Sequence, residues 1–205
     1  MAKIKAIPTR FHGYSFRSRL EARWAVVFET LNINWQYEPE GLQSPCGDKW
    51  LPDFLLQSQK KKVWVEIKPP GQDADERLHR MAKGMSHGEY IWFISADIPD
   101  PLRLRILNFQ NGGPENYASN LEGTFDMHFG QGDDDCPGWD CDHWLCICVG
   151  CGTIDIQFNG RSARIDCDCA KTNSDKDYTS SHPTLLKAYA AARGKRFEHE
   201  DREIW

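Results

Sequence analysis

The sequence predicts an α/β fold in two parts: a mixed-sheet core with the element order αβββαβ, then a small cysteine-rich β-hairpin module with a C-terminal helix. Three observations carry this. A helical apolar stripe (Leu20, Trp24, Val27, Phe28, Leu31) is followed by strand-like runs at 33–38, 51–56, 63–68 and 89–95, with an amphipathic stretch at 73–84 before the last. Seven of the eight cysteines crowd between Cys136 and Cys169. Gly130-Gln131-Gly132-Asp133-Asp134-Asp135 has the composition of a solvated linker, so the expected units are 1–130 and 131–205.

The bulk properties narrow the class. A chain of 205 residues buries one good core and carries a smaller appendage. Asp and Glu outnumber Lys and Arg by 30 to 25, which excludes nucleic-acid binding through overall charge and requires a local basic patch instead. No charged start leads into a leader-like apolar run, and no stretch approaches a membrane span, so a cytoplasmic protein with no membrane partner is expected. In a reducing compartment eight cysteines argue for metal ligands over disulfides.

Taken in order, residues 1–14 read as an arm with at most a short strand. Lys3, Lys5 and Arg10 there suit either phosphate contact or a solvated terminus. The helix over 18–31 begins at Ser18, and Ser18-x-x-Glu21 is a capping box in which Glu21 reaches back to the Ser18 N–H. Arg17, Arg19 and Arg23 near its start are candidates for phosphate, or for solvated ion pairs. Residues 33–38 alternate as a first strand with Glu38 at its end, and 41–49 supply turn chemistry with Cys46 as an unliganded thiol.

The second strand, 51–56, carries Asp53; the basic connection 57–62, including Lys61, returns the chain to 63–68. Alternation sends Val63, Val65 and Ile67 into a core and aims Glu66 and Lys68 the same way, with Asp53 beside them across the hairpin. Two carboxylates and an ammonium at one sheet edge are costly to desolvate unless a divalent cation compensates, which suggests a magnesium site. Pro69-Pro70-Gly71 ends the strand. The helix over 73–84 turns Leu78, Met81 and Ala82 inward, leaving Arg77, His79, Arg80 and Lys83 as a solvated face or a grip on a nucleic-acid backbone. The run 89–95 is apolar throughout, as for a strand covered on both faces. Prolines and glycines break up 98–130, with a short helix or strand around 102–109.

These residues resemble a known family. Pro52-Asp53-Phe54 followed by Glu66-Ile67-Lys68 is similar to the PD-(D/E)XK nuclease superfamily, whose core is restriction-endonuclease-like. With Phe16-Arg17-Ser18-Arg19-Leu20-Glu21 and Tyr37-Glu38 added, the first half of the chain looks most like the phage endonuclease I type of Holliday-junction resolvase. The resemblance implies a metal-dependent DNA endonuclease of a bacterial or phage-infected cell. Asp53, Glu66 and the Ile67 carbonyl would hold Mg²⁺ or Mn²⁺, Glu21 would complete the metal shell, Glu38 would add a metal or water ligand, and Lys68 would orient water or stabilise developing charge. Arg17, Arg19, Arg23 and Lys61 would meet DNA, and the products would carry 5′-phosphate and 3′-hydroxyl ends. It also implies branched or phage DNA as substrate and a homodimer. The alternatives are a transposase-subunit-like cutter working with a partner, and a non-cleaving nucleic-acid-binding or inhibitory protein on the same fold.

In the cysteine-rich part, Cys148-Val149-Gly150-Cys151-Gly152 is a knuckle, and alternation over 153–165 around Asn159-Gly160 is a hairpin returning to Cys167-Asp168-Cys169. Four sulfurs converge as tetrahedral zinc requires, and binding energy would supply what so small a core lacks. The pattern resembles a zinc ribbon, although CxC stands where ribbons have CxxC, and Cys146 is close enough to substitute for the fourth ligand. Cys136, Cys141, His143 and Cys146 supply donors for a second zinc. Arg161 and Arg164 suit phosphate, whereas Asp155, Asp166 and Asp168 oppose a basic face, which leaves nucleic-acid and protein contact both open for this module. Pro183 starts a last amphipathic helix with Leu185, Leu186, Tyr189 and Ala192 inward and Gly194 at its end.

Overall fold

The structure, a computed structural model, describes residues 6–57, 62–86, 89–101, 125–129, 143–148, 150–158, 167, 178–179 and 181–197. The elements are β1 (Thr9–Phe11), β2 (Tyr14–Phe16), α1 (Arg19–Thr30), β3 (Trp35–Tyr37), β4 (Leu42–Gln43), β5 (Lys49–Trp50), β6 (Phe54–Gln57), β7 (Lys62–Ile67), α2 (Glu76–Lys83), β8 (Glu89–Ile94), β9 (Phe125–Phe129), β10 (His143–Cys148), β11 (Ile154–Phe158), β12 (Tyr178–Thr179) and α3 (Pro183–Gly194). The class is mixed α/β, and no helix among the described residues is long and apolar enough to cross a membrane.

The central sheet has the order β3-β6-β7-β8-β9. β6 runs antiparallel to β3 and β7, β7 and β8 are parallel, and β9 closes the edge antiparallel to β8. Apolar side chains line both faces, which is why the strands read as near-continuous hydrophobic runs. On one face Phe54, Leu56, Val63, Val65, Ile67, Trp92 and Ile94 pack with α1 and α3. On the other Leu55, Trp64, Ile91 and Phe93 pack with Leu78, Met81 and Ala82 of α2 and with Trp50.

Phe54 anchors the strand that carries Asp53. Its ring is fully buried, with the rings of Phe16, Phe28, Trp35 and Tyr37 centred 6.0, 5.4, 5.7 and 5.4 Å away. Truncating so enclosed an aromatic to alanine costs about 3–5 kcal/mol.

Four expectations are corrected. Within and just beyond the expected N-terminal arm, residues 9–16 form a β1–β2 hairpin, turned by His12 and Gly13 at φ 48° and 80°, while residues 1–5, with Lys3 and Lys5, lie outside the described residues. The turn segment 41–49 contributes the short β4–β5 hairpin; Asp48 at its tip ion-pairs through both oxygens with Arg80, at 2.6 and 3.1 Å, so Arg80 is not a free cation. The second helix starts at Glu76 because the Asp75 carboxylate caps it, accepting from the Leu78 N–H at 2.9 Å. The stretch 98–130 contains the edge strand β9, while 102–109 and the linker 130–135 lie outside the described residues.

The boundary expected at 130/131 does not separate two cores. Leu145, Ile147 and Ile156 of β10 and β11, and Leu185, Leu186, Ala188, Tyr189 and Ala192 of α3, join the cluster built on α1. Arg193 of α3 donates to the Ile98 carbonyl beyond β8 at 2.7 Å, and the Phe197 ring meets Phe11 edge-on at 6.0 Å. The last helix has the expected bounds, with His182 Nδ1 accepting from the Thr184 N–H at 3.2 Å.

Candidate metal centres

An acid cluster lies where β7 leaves the sheet and β6 enters it. Pairing of Phe54 with Val65 sets Asp53 opposite the end of β7: its N–H donates to the Val65 carbonyl at 2.9 Å, and its Oδ2 accepts from the Ile67 N–H at 2.7 Å. Glu66 shares a sheet face with Trp64; its Oε2 accepts from Trp50 Nε1 at 2.8 Å, and its Oε1 accepts from the Lys68 ammonium. Asp53 and Glu66 are 2% and 6% exposed. Burial first, then the negative charges of Glu66 and Glu21, push the Asp53 carboxyl up from 3.8 to about 7, against the Ile67 N–H and Lys68.

Glu21 enters from the first turn of α1. Ser18 Oγ accepts from the Glu21 N–H at 3.1 Å, as a helix cap should. The reciprocal bond differs from the expected box: Glu21 Oε2 takes the N–H of Arg17 at 3.1 Å and the hydroxyl of Tyr37 at 2.7 Å, while Oε1 takes the Ser18 hydroxyl at 2.7 Å. Capping and site membership therefore coexist. Burial, followed by the hydrogen bond to Glu21, pushes the Tyr37 hydroxyl well above its ordinary value and keeps it a donor.

Arg17, expected to face phosphate, lies in the cluster. One guanidinium nitrogen is 2.6 Å from Asp53 Oδ1, and its Nε is 2.8 Å from Glu38 Oε1. Glu38 thus meets the cluster through Arg17, and it does so from the left-handed backbone region, at φ 41°. For a non-glycine residue that conformation carries strain of the kind found at functional sites. Arg19 opens α1, Arg23 is 3.9 Å from Asp97 beyond β8, and Lys61 lies outside the described residues.

In kind, the oxygen donors of Asp53, Glu66 and the Ile67 main chain fit a hard divalent cation. Among the described residues, however, Glu21, Asp53 and Glu66 do not form a group within mutual ligand reach; each carboxylate is satisfied by protein donors. Arg17 and Lys68 supply the compensating charge. Tyr37 and Trp50 were not expected as participants, since neither an aromatic in an alternating strand nor one before a turn signals the acid it will meet.

The second cluster does have metal-ligand geometry. The sulfurs of Cys148, Cys151 and Cys167 all lie within 4.8 Å of one another, and these three cysteines could bind a metal such as zinc. Cys151 and Cys167 sulfurs are 3.4 Å apart, beyond a disulfide and near the roughly 3.8 Å expected of two thiolates on one tetrahedral zinc ion. The knuckle forms as its glycine suggested: Gly152 sits at φ 72°, and its N–H donates to the Cys148 carbonyl at 2.7 Å. Hydrogen bonding to Thr153, whose Oγ1 is 3.1 Å from the sulfur, draws the exposed Cys151 thiol down to about 6.

Asp155 is the residue sequence reasoning misread. Rather than opposing a basic face, its buried carboxylate accepts from the Cys167 N–H at 2.7 Å and the Ile156 N–H at 2.8 Å, fixing one ligand's backbone. Cys146 lies outside the three-sulfur group, its thiol 3.5 Å from the Asp155 carbonyl, so it is not the substitute ligand. Cys169, Cys136, Cys141, Arg161 and Arg164 lie outside the described residues, and so does the His143 side chain. In comparisons with known proteins, the chain matches no family model, no curated protein and no solved structure.

Proposed function

We propose that the chain is a divalent-metal-dependent DNA endonuclease of the restriction-endonuclease-like, PD-(D/E)XK kind, acting in the cytoplasm. One observation carries this reading: Asp53 and Glu66 are almost wholly buried at one end of a mixed sheet, with Lys68 bonded to Glu66 and the charges of Glu66 and Glu21 acting on Asp53. Buried acids so close together are unfavourable for stability alone and are characteristic of functional sites.

In this reading Asp53, Glu66 and the Ile67 carbonyl would hold Mg²⁺ or Mn²⁺, with Glu21 adding to the shell through water. The bound ion would supply Lewis-acid activation of the scissile phosphate and of a water. Lys68, hydrogen-bonded to Glu66, orients that water and stabilises negative charge developing on the phosphate. Trp50 and Tyr37 hold Glu66 and Glu21 in place. Water oxygen bonds to phosphorus, the bond to the 3′ oxygen breaks, and that oxygen takes up a proton. Zinc at Cys148, Cys151 and Cys167 would staple the C-terminal hairpin to the common core and present a surface to DNA or protein.

The test is cleavage of supercoiled, linear, single-stranded and four-way-junction DNA in Mg²⁺ and Mn²⁺. Activity that disappears in Asp53→Ala and Lys68→Ala supports the proposal; activity that persists in both discards this site. A second reading, a non-cleaving nucleic-acid-binding or inhibitory protein, draws on one observation: Asp53 and Glu66 already have cationic partners. Calorimetry separates the two, because that protein would bind neither Mg²⁺ nor Mn²⁺ in a manner sensitive to Asp53 and Glu66.

A further inference from the structure

We infer that Arg17 is a displaceable counter-ion, occupying Asp53 when no divalent cation is bound and turning outward to a DNA phosphate when one is. The inference rests on the cation site proposed above and adds a coupling within it. Asp53 has two oxygens, and Oδ2 is committed to the Ile67 N–H. Oδ1 is the oxygen without a backbone donor, and at 2.6 Å it holds the Arg17 guanidinium, so a cation arriving on this carboxylate meets that charge. Two cations cannot share so short a contact without strong repulsion, so metal entry at Oδ1 and the Arg17 pair exclude one another.

The surroundings of Arg17 suit such a movement. Its side chain is 54% exposed against 3% for Asp53, so the guanidinium reaches in from solvent. Its backbone is pinned, with the N–H directed at Glu21 Oε2 (3.1 Å) and the Tyr37 hydroxyl oxygen (3.0 Å), which makes the side chain a swinging arm on a fixed pivot. Glu38, at 2.8 Å, is the second contact that parks it. Released, a guanidinium at the mouth of the site has the fork geometry that phosphate oxygens accept. Metal and DNA would then bind with positive coupling, each favouring the state in which Arg17 has left Asp53.

The experiment measures binding, on full-length zinc-loaded protein whose folding is checked for each variant by thermal melt. Arg17→Gln should bind Mn²⁺ about tenfold more tightly than wild type by calorimetry. Arg17→Lys, which keeps the charge but cannot span Asp53 and Glu38, should give a smaller increase and serves if the glutamine variant does not fold. The DNA arm uses a short duplex in Ca²⁺, under conditions where the duplex stays intact. There the wild-type affinity should rise with Ca²⁺, while Arg17→Gln should bind more weakly and lose that rise. A merely structural role for Arg17 would not tighten Mn²⁺ binding. Unchanged or weaker Mn²⁺ binding in a folded variant, with Asp53→Asn still abolishing it, overturns this inference and leaves the cation site standing. No Mn²⁺ binding by wild type overturns both.

Discussion

The two clusters both gather candidate metal ligands, but in different company. At the acid cluster two buried carboxylates each carry a cationic side chain, Arg17 on Asp53 and Lys68 on Glu66. At the sulfur cluster the sulfurs of Cys148, Cys151 and Cys167 converge, and the Asp155 carboxylate accepts from the Cys167 N–H. The acid cluster carries its own compensating charge, whereas the sulfur cluster groups three cysteines that could bind a metal such as zinc. A site that must admit an ion and a substrate in turn benefits from neutralising itself in between, whereas a staple does not.

The largest effect should come from breaking the staple. Cys167→Ser, or chelation of the wild type, should release zinc and lower the melting temperature by about 10 °C or more, since structural zinc contributes many kcal/mol. That loss should spread through the whole molecule because Leu145, Ile147 and Ile156 lie in the core shared with α1 and α3. Withdrawing Mg²⁺ should leave the melt nearly unchanged. An equal fall on withdrawing Mg²⁺ would erase the contrast.

Next comes the chemistry. Lys68→Ala should reduce DNA cleavage by about 100-fold or more, the scale of losing one group that stabilises transition-state charge. Its melting temperature should fall as well, because the Glu66 side chain, 8% exposed, loses its cationic partner. Plasmid nicking rates alongside thermal melts check both halves.

The pH dependence should follow Asp53. Its carboxyl in the fold holds its proton up to about 7, against 3.8 for the ordinary group. The folded state therefore binds the proton more tightly than the unfolded chain, so this group favours the fold most below pH 4. Its contribution declines as pH rises from 4 to 7 and is level above. In Mg²⁺-free buffer Asp53→Asn should remove that slope and exceed wild type at pH 8 by about 1–3 kcal/mol in urea titrations. A variant less stable than wild type at pH 8 would contradict the assignment.

The smallest effect belongs to Tyr37→Phe. Losing one of the donors to Glu21 Oε2 should cost about 1–2 kcal/mol by denaturant melt, with zinc content unchanged.

The long apolar strands and the three helices among the described residues were legible because burial on both sheet faces and the α1 stripe write their periods into the residues. So was the meeting of Asp53 with Glu66, since a hairpin and strand alternation suffice to bring them together. Arg17 was not, because its partners Asp53 and Glu38 are separated from it in sequence and no local pattern ties a surface arginine to a distant buried acid. Asp155 failed for the same reason. β1 and β2 are three residues each, too short for alternation to register. β9 does alternate, Phe125, Met127 and Phe129 against Asp126 and His128, but the preceding prolines and glycines mask the signal. The common core joins Leu145 and Ile147 to α1 across more than a hundred residues, which a linker-like composition at 130–135 gave no means of foreseeing.

The central claim, that the acid cluster is a divalent-cation site, is tested most directly by anomalous diffraction from crystals soaked in Mn²⁺. The account predicts a manganese peak bounded by the Asp53 and Glu66 carboxylates and the Ile67 carbonyl, with the Arg17 guanidinium withdrawn from Asp53. Well-ordered density with no peak there at saturating Mn²⁺, and Arg17 still paired with Asp53, would contradict it.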